Sequence, residues 1–445
     1  MSALIKKIKN YWHLFQSILA NIVYAFPQKK LKLIGVTGTD GKTTTTLMIY
    51  HILKANGFNV AYLSTISAKI GDKELDTGFH VTTPDPWMVP RYLKMMVDAK
   101  SEYVVIESTS QGLAQNRLWG LQFEAAAITN IKSDHLDYHG TWENYALAKA
   151  SLIEQVKKGG TVALNKDDTK SAEFLKEFLV DVSEDEIKQL WYGKEDLTDV
   201  KSSFEGLEFT YNKVGFKLPL IGKYNLENAL AAINVCKKYI PLSKISEALA
   251  TIPTPLGRMQ VMQTKPFKVI IDFAHTPHAL ESALNSIREI DNDARLIVVF
   301  GCAGKRDKDR RNMGKVASQM AQLVILTAED PRDEDLKDIN NEIFSRAVNA
   351  QLVARFDGHN QIDVTKLSKQ IEDISASGKI PFVAFDENSV NSRHDAIKTA
   401  ISLAKPADIV FITGKAHERS LAFGNIEHPW NEQEEVNKVL EDNNP

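Results

Sequence analysis

An α/β fold in two consecutive parts, each built on a mostly parallel sheet, is predicted by three features of the sequence. An apolar strand, KLKLIGV, runs straight into a glycine-rich turn and then into a helix, KTTTTLMIYHILKANG, closed by Gly57. Further apolar runs that end in polar residues, EYVVIES and AAAITN, read as buried parallel strands. After PTPLGRM the alternation begins again, with strands expected at KVIIDFAH, LIVVFGC, LVILTAED, PFVAFDE and DIVFITG. A boundary is therefore placed near Pro255, and the stretch from Asp181 to Gly215 reads as a strand-and-turn excursion. The expected divisions are a helical segment 1–30, a central domain 31–255 and a C-terminal domain 256–445.

At 445 residues, 43% apolar and 25% charged, the chain is long enough for two or three domains with cores of their own. A net charge of −3 argues against nucleic acid as a partner, which calls for a basic face. Two cysteines, Cys236 and Cys302, are too few for a disulfide framework or a cysteine metal site, and a reducing cytoplasm is the expected location.

In the first segment Leu4, Ile8, Tyr11, Trp12, Phe15, Ile18, Leu19, Ile22, Val23 and Phe26 recur at helical spacing, with Lys6, Lys7, Asn10, His13, Ser17 and Asn21 largely on the other side. The apolar stretch is too short and too interrupted to span a bilayer, and no small-residue cleavage site follows it. Three roles stay open for this helix: packing on the next domain by its apolar face, attachment to a membrane surface, or docking of a partner protein.

The turn itself, GVTGTDGKTTTT from Gly35 to Thr46, departs from the common phosphate loop G-x-x-x-x-G-K-[ST]. Val36 stands where that pattern has its first glycine, and Gly35, Gly38 and Gly41 fall three apart. The physics of anion binding survives the change. Glycine at 38 and 41 lets the backbone curl close to phosphate, and the helix N-terminus offers its N–H groups. Lys42 supplies a point charge for the β- and γ-phosphates, and Thr43 a hydroxyl for Mg²⁺.

The variant spacing resembles the loop T-G-T-[ND]-G-K-[ST] of the Mur ligase superfamily. Other blocks follow in that family's order: TTPDP, IESTSQGLAQNRLWGLQF, TNIKSDHLDYHGTWENYALAK, PLIGKYNLENALAA, LGRMQV, IDFAHTPHAL, FGCAGKRDKDRRNMG, EDPRDED and ITGKAHE. They are most similar to MurE-type members, which add a diamino acid to UDP-N-acetylmuramoyl-L-alanyl-D-glutamate. The resemblance implies a P-loop ATPase domain followed by a Rossmann-like ligase domain. It also implies ATP-driven amide formation through an acyl phosphate, with release of ADP and phosphate, in peptidoglycan precursor synthesis.

Residue roles follow from the same resemblance. ATP would contact Gly38, Thr39, Asp40, Gly41, Lys42, Thr43 and Thr44 of the loop, Asn225 and Asn228 near the adenine, and Arg258, Asp272 and His275 from the second domain, placing it in an interdomain cleft. On their own residues, the two asparagines read equally well as helix caps. Thr43 and Glu107 would hold one Mg²⁺ and His135 a second. Lys149, which alone reads as a solvated helix lysine, would react with CO₂ to give a carbamate that supports the metal. Lys42, Glu107, His135 and Lys149 are thus the expected catalytic set.

The acceptor would meet Thr82, Thr83, Thr109, Gln115 and Arg117. The incoming amino acid would meet Arg306, Asp330, Arg332, Gly414 and Glu418, a set that otherwise reads as a surface ion-pair network. Four positions depart from the MurE-type pattern: Gln111 replaces His, Lys305 and Glu329 replace Asp, and Asp330 replaces Asn. The added anion at Asp330 favours a more cationic amino acid such as lysine, whereas Arg332 favours a distal carboxylate as in meso-diaminopimelate. Only the helical segment precedes the loop, where MurE-type ligases carry a domain that grips the UDP-sugar, so the acceptor's nucleotide is open. Competing expectations are a folylpolyglutamate-type ligase, a P-loop switch ATPase and a silent scaffold of the ligase fold.

Overall fold

The computed structural model describes residues 3–64, 67–75, 83–132, 134, 136–305, 308–358 and 362–443. Two compact units emerge, one of residues 1–201 and 205–253, the other of 202–204 and 254–445.

The first unit is an eight-stranded sheet of β1 (Lys32–Thr37), β2 (Val60–Leu63), β3 (Ala68–Ile70), β4 (Lys73–Leu75), β5 (Tyr103–Glu107), β6 (Phe123–Ile128), β7 (Val156–Asn165) and β8 (Ile187–Tyr192). Its order is β4-β3-β2-β5-β1-β6-β7-β8, parallel from β2 to β8, with β3 and β4 added antiparallel at one edge. Alternate residues of each strand enter cores on opposite faces, as the two-residue period of a strand requires. Ile34, Val36, Val105 and Ala127 pack with Met48, Ile49 and Ile52 of α2 (Lys42–Ala55). Leu33, Ile106 and Ile128 pack on the other face with Leu93 and Met96. Because β1 lies between β5 and β6, the carboxyl ends of all three strands open side by side, the usual place for a ligand site in such a sheet.

Each glycine of the turn answers a different spatial demand. A β-carbon on Gly35 would lie 2.9 Å from Leu152 Cδ1 and 3.1 Å from the Phe123 ring. One on Gly38 would fall 1.8 Å from Thr129 Oγ1, and one on Gly41 2.0 Å from Asn228 Oδ1. Gly41 also has φ +78°, the left-handed region that disfavours side chains. Gly35 thus serves close packing under the sheet, while Gly38 and Gly41 let two neighbouring segments close on the loop.

A small sheet, β9 (Leu197–Ser203), β10 (Gly206–Tyr211) and β11 (Val214–Leu218), fills the expected strand-and-turn excursion.

The second unit carries seven strands: β12 (Gln260–Gln263), β13 (Lys268–Asp272), β14 (Leu296–Phe300), β15 (Leu323–Leu326), β16 (Ala350–Phe356), β17 (Ile380–Phe385) and β18 (Ile409–Thr413). They are ordered β12-β13-β18-β14-β15-β17-β16 and are parallel except for β12. A hairpin follows, β19 (Ser420–Phe423) and β20 (Ile426–Pro429). Arg393, fully buried, donates to the equally buried Glu432 and to the carbonyls of Ala328 and Thr413, tying the ends of this unit together. Among the described residues no helix is long and apolar enough to cross a membrane.

Substituting Gly41→Ala should lower the stability of the first unit by ~1–3 kcal/mol in denaturant unfolding, from the disfavoured φ together with the clash. Adding Asn228→Ala should return the clash component only. A Gly41→Ala protein as stable as the parent would contradict this account.

Candidate active site

The loop is held from beneath by the segment that leaves β6. Thr39 N donates to Asn130 O at 2.8 Å, Asp40 N to Asn130 Oδ1 at 2.9 Å, and Thr129 Oγ1 to Asp40 O at 2.6 Å. Asp40 Oδ2 also lies 3.3 Å from Lys132 Nζ. Lys42 curls back so that its Nζ donates to Thr39 O at 2.9 Å, and Thr44 is buried in the first turn of α2. That first turn contains no acid of its own, so the carboxylate nearest the positive end of the helix dipole comes from another element.

Thr43 Oγ1 donates to Glu107 Oε2 at 2.9 Å, and both side chains are buried. The hydroxyl comes from the start of α2 and the carboxylate from the end of β5, brought together by the register that sets Val36 beside Glu107.

Lys149 sits on the helix Trp142–Glu154, only 1% exposed, so the expectation of a solvated lysine does not hold. Its Nζ donates to Gly38 O at 2.5 Å and lies 4.5 Å above the Tyr145 ring. Burial, and then the charge of Lys42, holds the amine well below the ordinary lysine range and favours its neutral form. The helix comes this close because Gly35 offers no β-carbon to Leu152.

Asn225 and Asn228 lie within the helix Tyr224–Cys236, whose N-cap is Lys223, so the capping alternative fails. Asn225 Nδ2 donates to Ile221 O at 2.8 Å, and Asn228 Nδ2 to Asn225 Oδ1 at 2.9 Å. That second bond leaves Asn228 Oδ1 against Gly41.

Four of the five residues expected around the acceptor form one network, and Thr82 lies outside the described residues. Thr83 Oγ1 is 2.9 Å from Thr109 Oγ1, and Thr109 caps the short helix Ser110–Ala114 by accepting from Gly112 N. Arg117 donates to Thr83 O at 2.7 Å and grips Gln115 Oε1 from Nε and Nη2 at 2.9 and 2.6 Å. Gln115 Nε2 reaches Tyr138 OH at 3.0 Å. His135 also lies outside the described residues.

In the second unit Arg258 and His275 gather on the Phe273 ring, at 5.0 and 4.5 Å, with His417 at 4.5 Å on the same ring. Asp272 is buried and accepts from Met259 N and Ala274 N, both at 2.8 Å. Burial, aided by the charges of Arg258 and His275, lowers the His417 pKa to about 3, so this imidazole is neutral at physiological pH.

The residues expected around the amino acid are more unevenly placed. Lys415 is buried and donates to Asp330 Oδ1 at 2.7 Å and to Glu418 Oε2 at 2.5 Å, while Ala422 N also donates to Asp330. Arg332 Nη2 lies 3.9 Å from Glu427 Oε1. Asp330 and Arg332 both adopt positive φ, +64° and +56°, a strained pairing often found at ligand sites. Gly414 faces the buried Glu329, whose pKa burial raises to about 8. Arg306 lies outside the described residues.

The sequence reading leaves out Asn130, Tyr145, Glu329 as a neutral acid, Lys415 and His417. Asn130 and Tyr145 stand inside TNIKSDHLDYHGTWENYALAK, and Lys415 and His417 inside ITGKAHE, but only the folded geometry shows what they touch.

Residues 36–236 match the family model of the Mur ligase middle domain, and residues 257–416 that of the Mur ligase glutamate ligase domain. A UDP-N-acetylmuramoyl-L-alanyl-D-glutamate–2,6-diaminopimelate ligase of Clostridium botulinum is 34% identical over 441 residues, which is 96% of this chain and 81% of that protein. A UDP-N-acetylmuramyl-tripeptide synthetase of Roseiflexus is 34% identical over 443 residues, 95% of this chain and 81% of that one. A solved UDP-N-acetylmuramoyl-L-alanyl-D-glutamate–2,6-diaminopimelate ligase is similar with a TM-score of 0.64 at 27% identity, covering 97% of this chain and 83% of its own. With both domain models matched in order and a third of the residues shared along nearly its whole length, the chain belongs to the Mur ligase family.

Proposed function

We propose that this chain is an ATP-dependent, ADP-forming ligase that joins an amino acid to the terminal carboxylate of a UDP-N-acetylmuramoyl-dipeptide, a cytoplasmic step of peptidoglycan precursor synthesis. The observation that carries the reading is the buried Thr43–Glu107 pair at the mouth of the loop, with Lys42 and Lys149 beside it. The names of the two relatives support the acceptor class.

In this chemistry the acceptor carboxylate takes the γ-phosphoryl group of ATP, ADP leaves, and the amine of the incoming amino acid displaces phosphate from the acyl phosphate. Both partners of the first step are anions, so the site must offset charge. The loop N–H groups and Lys42 hold the phosphates, and Arg117, on its Thr83–Gln115 frame, orients the acceptor. Asn225 and Asn228 are assigned to the adenine, and Arg258, Asp272 and His275 to the nucleotide as well.

Thr43 and Glu107 are the residues that would hold Mg²⁺. Their hydroxyl and carboxylate are hard oxygen donors, and among the described residues no group of three or more His, Cys, Asp or Glu is gathered for a metal. That sparse set fits a cation that keeps waters and shares substrate phosphates. When bound, Mg²⁺ lowers the repulsion between ATP and the acceptor carboxylate. Lys149 fits the carbamate role, because its neutral amine is the form that reacts with CO₂, and a carbamate keeps one N–H for Gly38 O.

The amino acid is assigned as meso-diaminopimelate. Lys415 is shared between Asp330 and Glu418, so Asp330 is an ion-paired acid rather than the lone anion on which the case for lysine rests. Glu329 is largely protonated at neutral pH, and Arg332, with its partner no closer than 3.9 Å, is left to pair with a distal carboxylate.

ADP release should require both UDP-muramoyl-dipeptide and an amino acid, with diaminopimelate giving a lower KM than lysine. Release from ATP alone at the same rate would instead mark a switch ATPase. Lys149→Ala should reduce kcat by about 10²-fold or more, with partial rescue by short carboxylates; a fully active variant would remove the carbamate from the mechanism.

Glu329 generates a pH prediction. Its folded pKa, about 8, lies above the ordinary 4.5, so the folded state retains a proton that the unfolded chain gives up. The associated stability is complete below the ordinary value and is lost as pH rises towards the folded one. Glu329→Gln should therefore gain on the parent protein in unfolding free energy as pH increases across that window. A difference independent of pH would refute the assignment.

A further inference from the structure

The N-terminal helix α1 (Ala3–Val23) packs on the first unit by the wrong side for an ordinary amphipathic helix. Ser17, Ala20 and Asn21 are buried, with Ser17 Oγ donating to Asn116 O at 2.8 Å and Asn21 Nδ2 to Trp119 O at 3.4 Å. Of the three roles open to this helix, packing on the next domain by the Tyr11–Val23 stripe is not the one adopted. Tyr11, Trp12, Phe15, Leu19, Ile22 and Val23 all face outward, from 38% exposed at Leu19 to 71% at Tyr11. At helical spacing these six fall within an arc of about 120°.

Charge selects the occupant of this face. Residues 1–30 contain five lysines and neither Asp nor Glu, in a chain whose net charge is −3. Lys9 on the helix and Lys29 and Lys30 just beyond it are exposed, flanking the apolar stripe at both ends. Aromatic and aliphatic residues along one helical stripe, with lysines at its margins and no acids, match an anionic bilayer surface. A second copy of this chain, acidic overall, or a neutral protein groove would account for the stripe but not for the strict exclusion of acids.

We propose that α1 lies in the interface of an anionic lipid bilayer, its Tyr11–Val23 stripe in the acyl boundary and its flanking lysines on the headgroups. The helix is hydrogen-bonded to the turn that follows Gln115 and carries Arg117, so a docked chain holds its acceptor network at the membrane surface. That last consequence rests on the proposed function, while the docking itself does not.

The test is co-sedimentation of the full chain with phosphatidylcholine vesicles, with and without about one third phosphatidylglycerol. The chain should pellet with the anionic vesicles and be released by about 0.5 M NaCl. Phe15→Glu/Ile22→Glu and, separately, Lys29→Gln/Lys30→Gln should each lower partitioning by about tenfold, with the circular dichroism spectrum and vesicle-free ADP release unchanged. The proposal is overturned if the parent protein stays in the supernatant with both vesicle types, or binds both equally. It is also overturned if Phe15→Glu/Ile22→Glu dissolves a dimer in sedimentation velocity while vesicle binding is absent, since the face would then belong to a second copy. ADP release that fails while vesicle binding persists would count against the ligase reading alone.

Discussion

A lysine amine buried against the carbonyl of Gly38 is the constraint on which the first unit depends. Placing a potential cation there, with Lys42 nearby, is unfavourable unless the amine gives up its proton or gains an anion. The surroundings are built to bring it there nonetheless. Gly35 removes the β-carbon that would hold the helix of Lys149 away from β1, and Gly38 removes one that would strike Thr129. Gly41 yields to Asn228. The unusual glycine spacing is therefore less a variant of phosphate binding than a record of three segments converging on one loop.

The same convergence fixes the charge pattern at the strand ends. Glu107 is held by Thr43, the loop backbone by Asn130 and Thr129, and Asp40 pairs with Lys132 near the surface. The N-terminus of α2 and Lys42, whose amine donates to Thr39 O, add positive charge beside these pairs. A polyanion is the natural complement.

Much of this was legible in the residues. The strands KLKLIGV, EYVVIES and AAAITN and all five expected in the second unit form, because buried parallel strands read as short apolar runs. β7 begins Val-Lys-Lys-Gly-Gly, which reads as a turn, and β16 is an edge strand of half-buried residues that lacks a continuous apolar signature. Lys149 was misjudged from its own sequence because burial depends on Gly35, more than a hundred residues earlier. The choice among the three roles open to α1 was illegible for a related reason. Periodicity shows that a helix has an apolar side, but which side meets the domain was decided by Ser17 and Asn21 finding carbonyls at Asn116 and Trp119.

The amino-acid end of the site shows how far an argument from single charges can go. Counting Asp330 as an added anion leads to a cationic substrate, and that logic is sound only for a charge without a partner. Lys415, 85 residues along the chain, donates to Asp330 and to Glu418 at once, so both carboxylates are occupied by one buried cation. Glu329, next to Asp330 in sequence, is pushed towards its neutral form by burial first, with the charges of Glu418 and Asp330 adding to it. Three acids that look alike in the sequence thus differ in the fold: one is ion-paired and backbone-bound, one is ion-paired near solvent, and one is largely protonated. If this cluster receives the incoming amino acid, as proposed, selectivity falls to the groups left over, Arg332 above all, and an anionic distal group suits Arg332 better than an ammonium does.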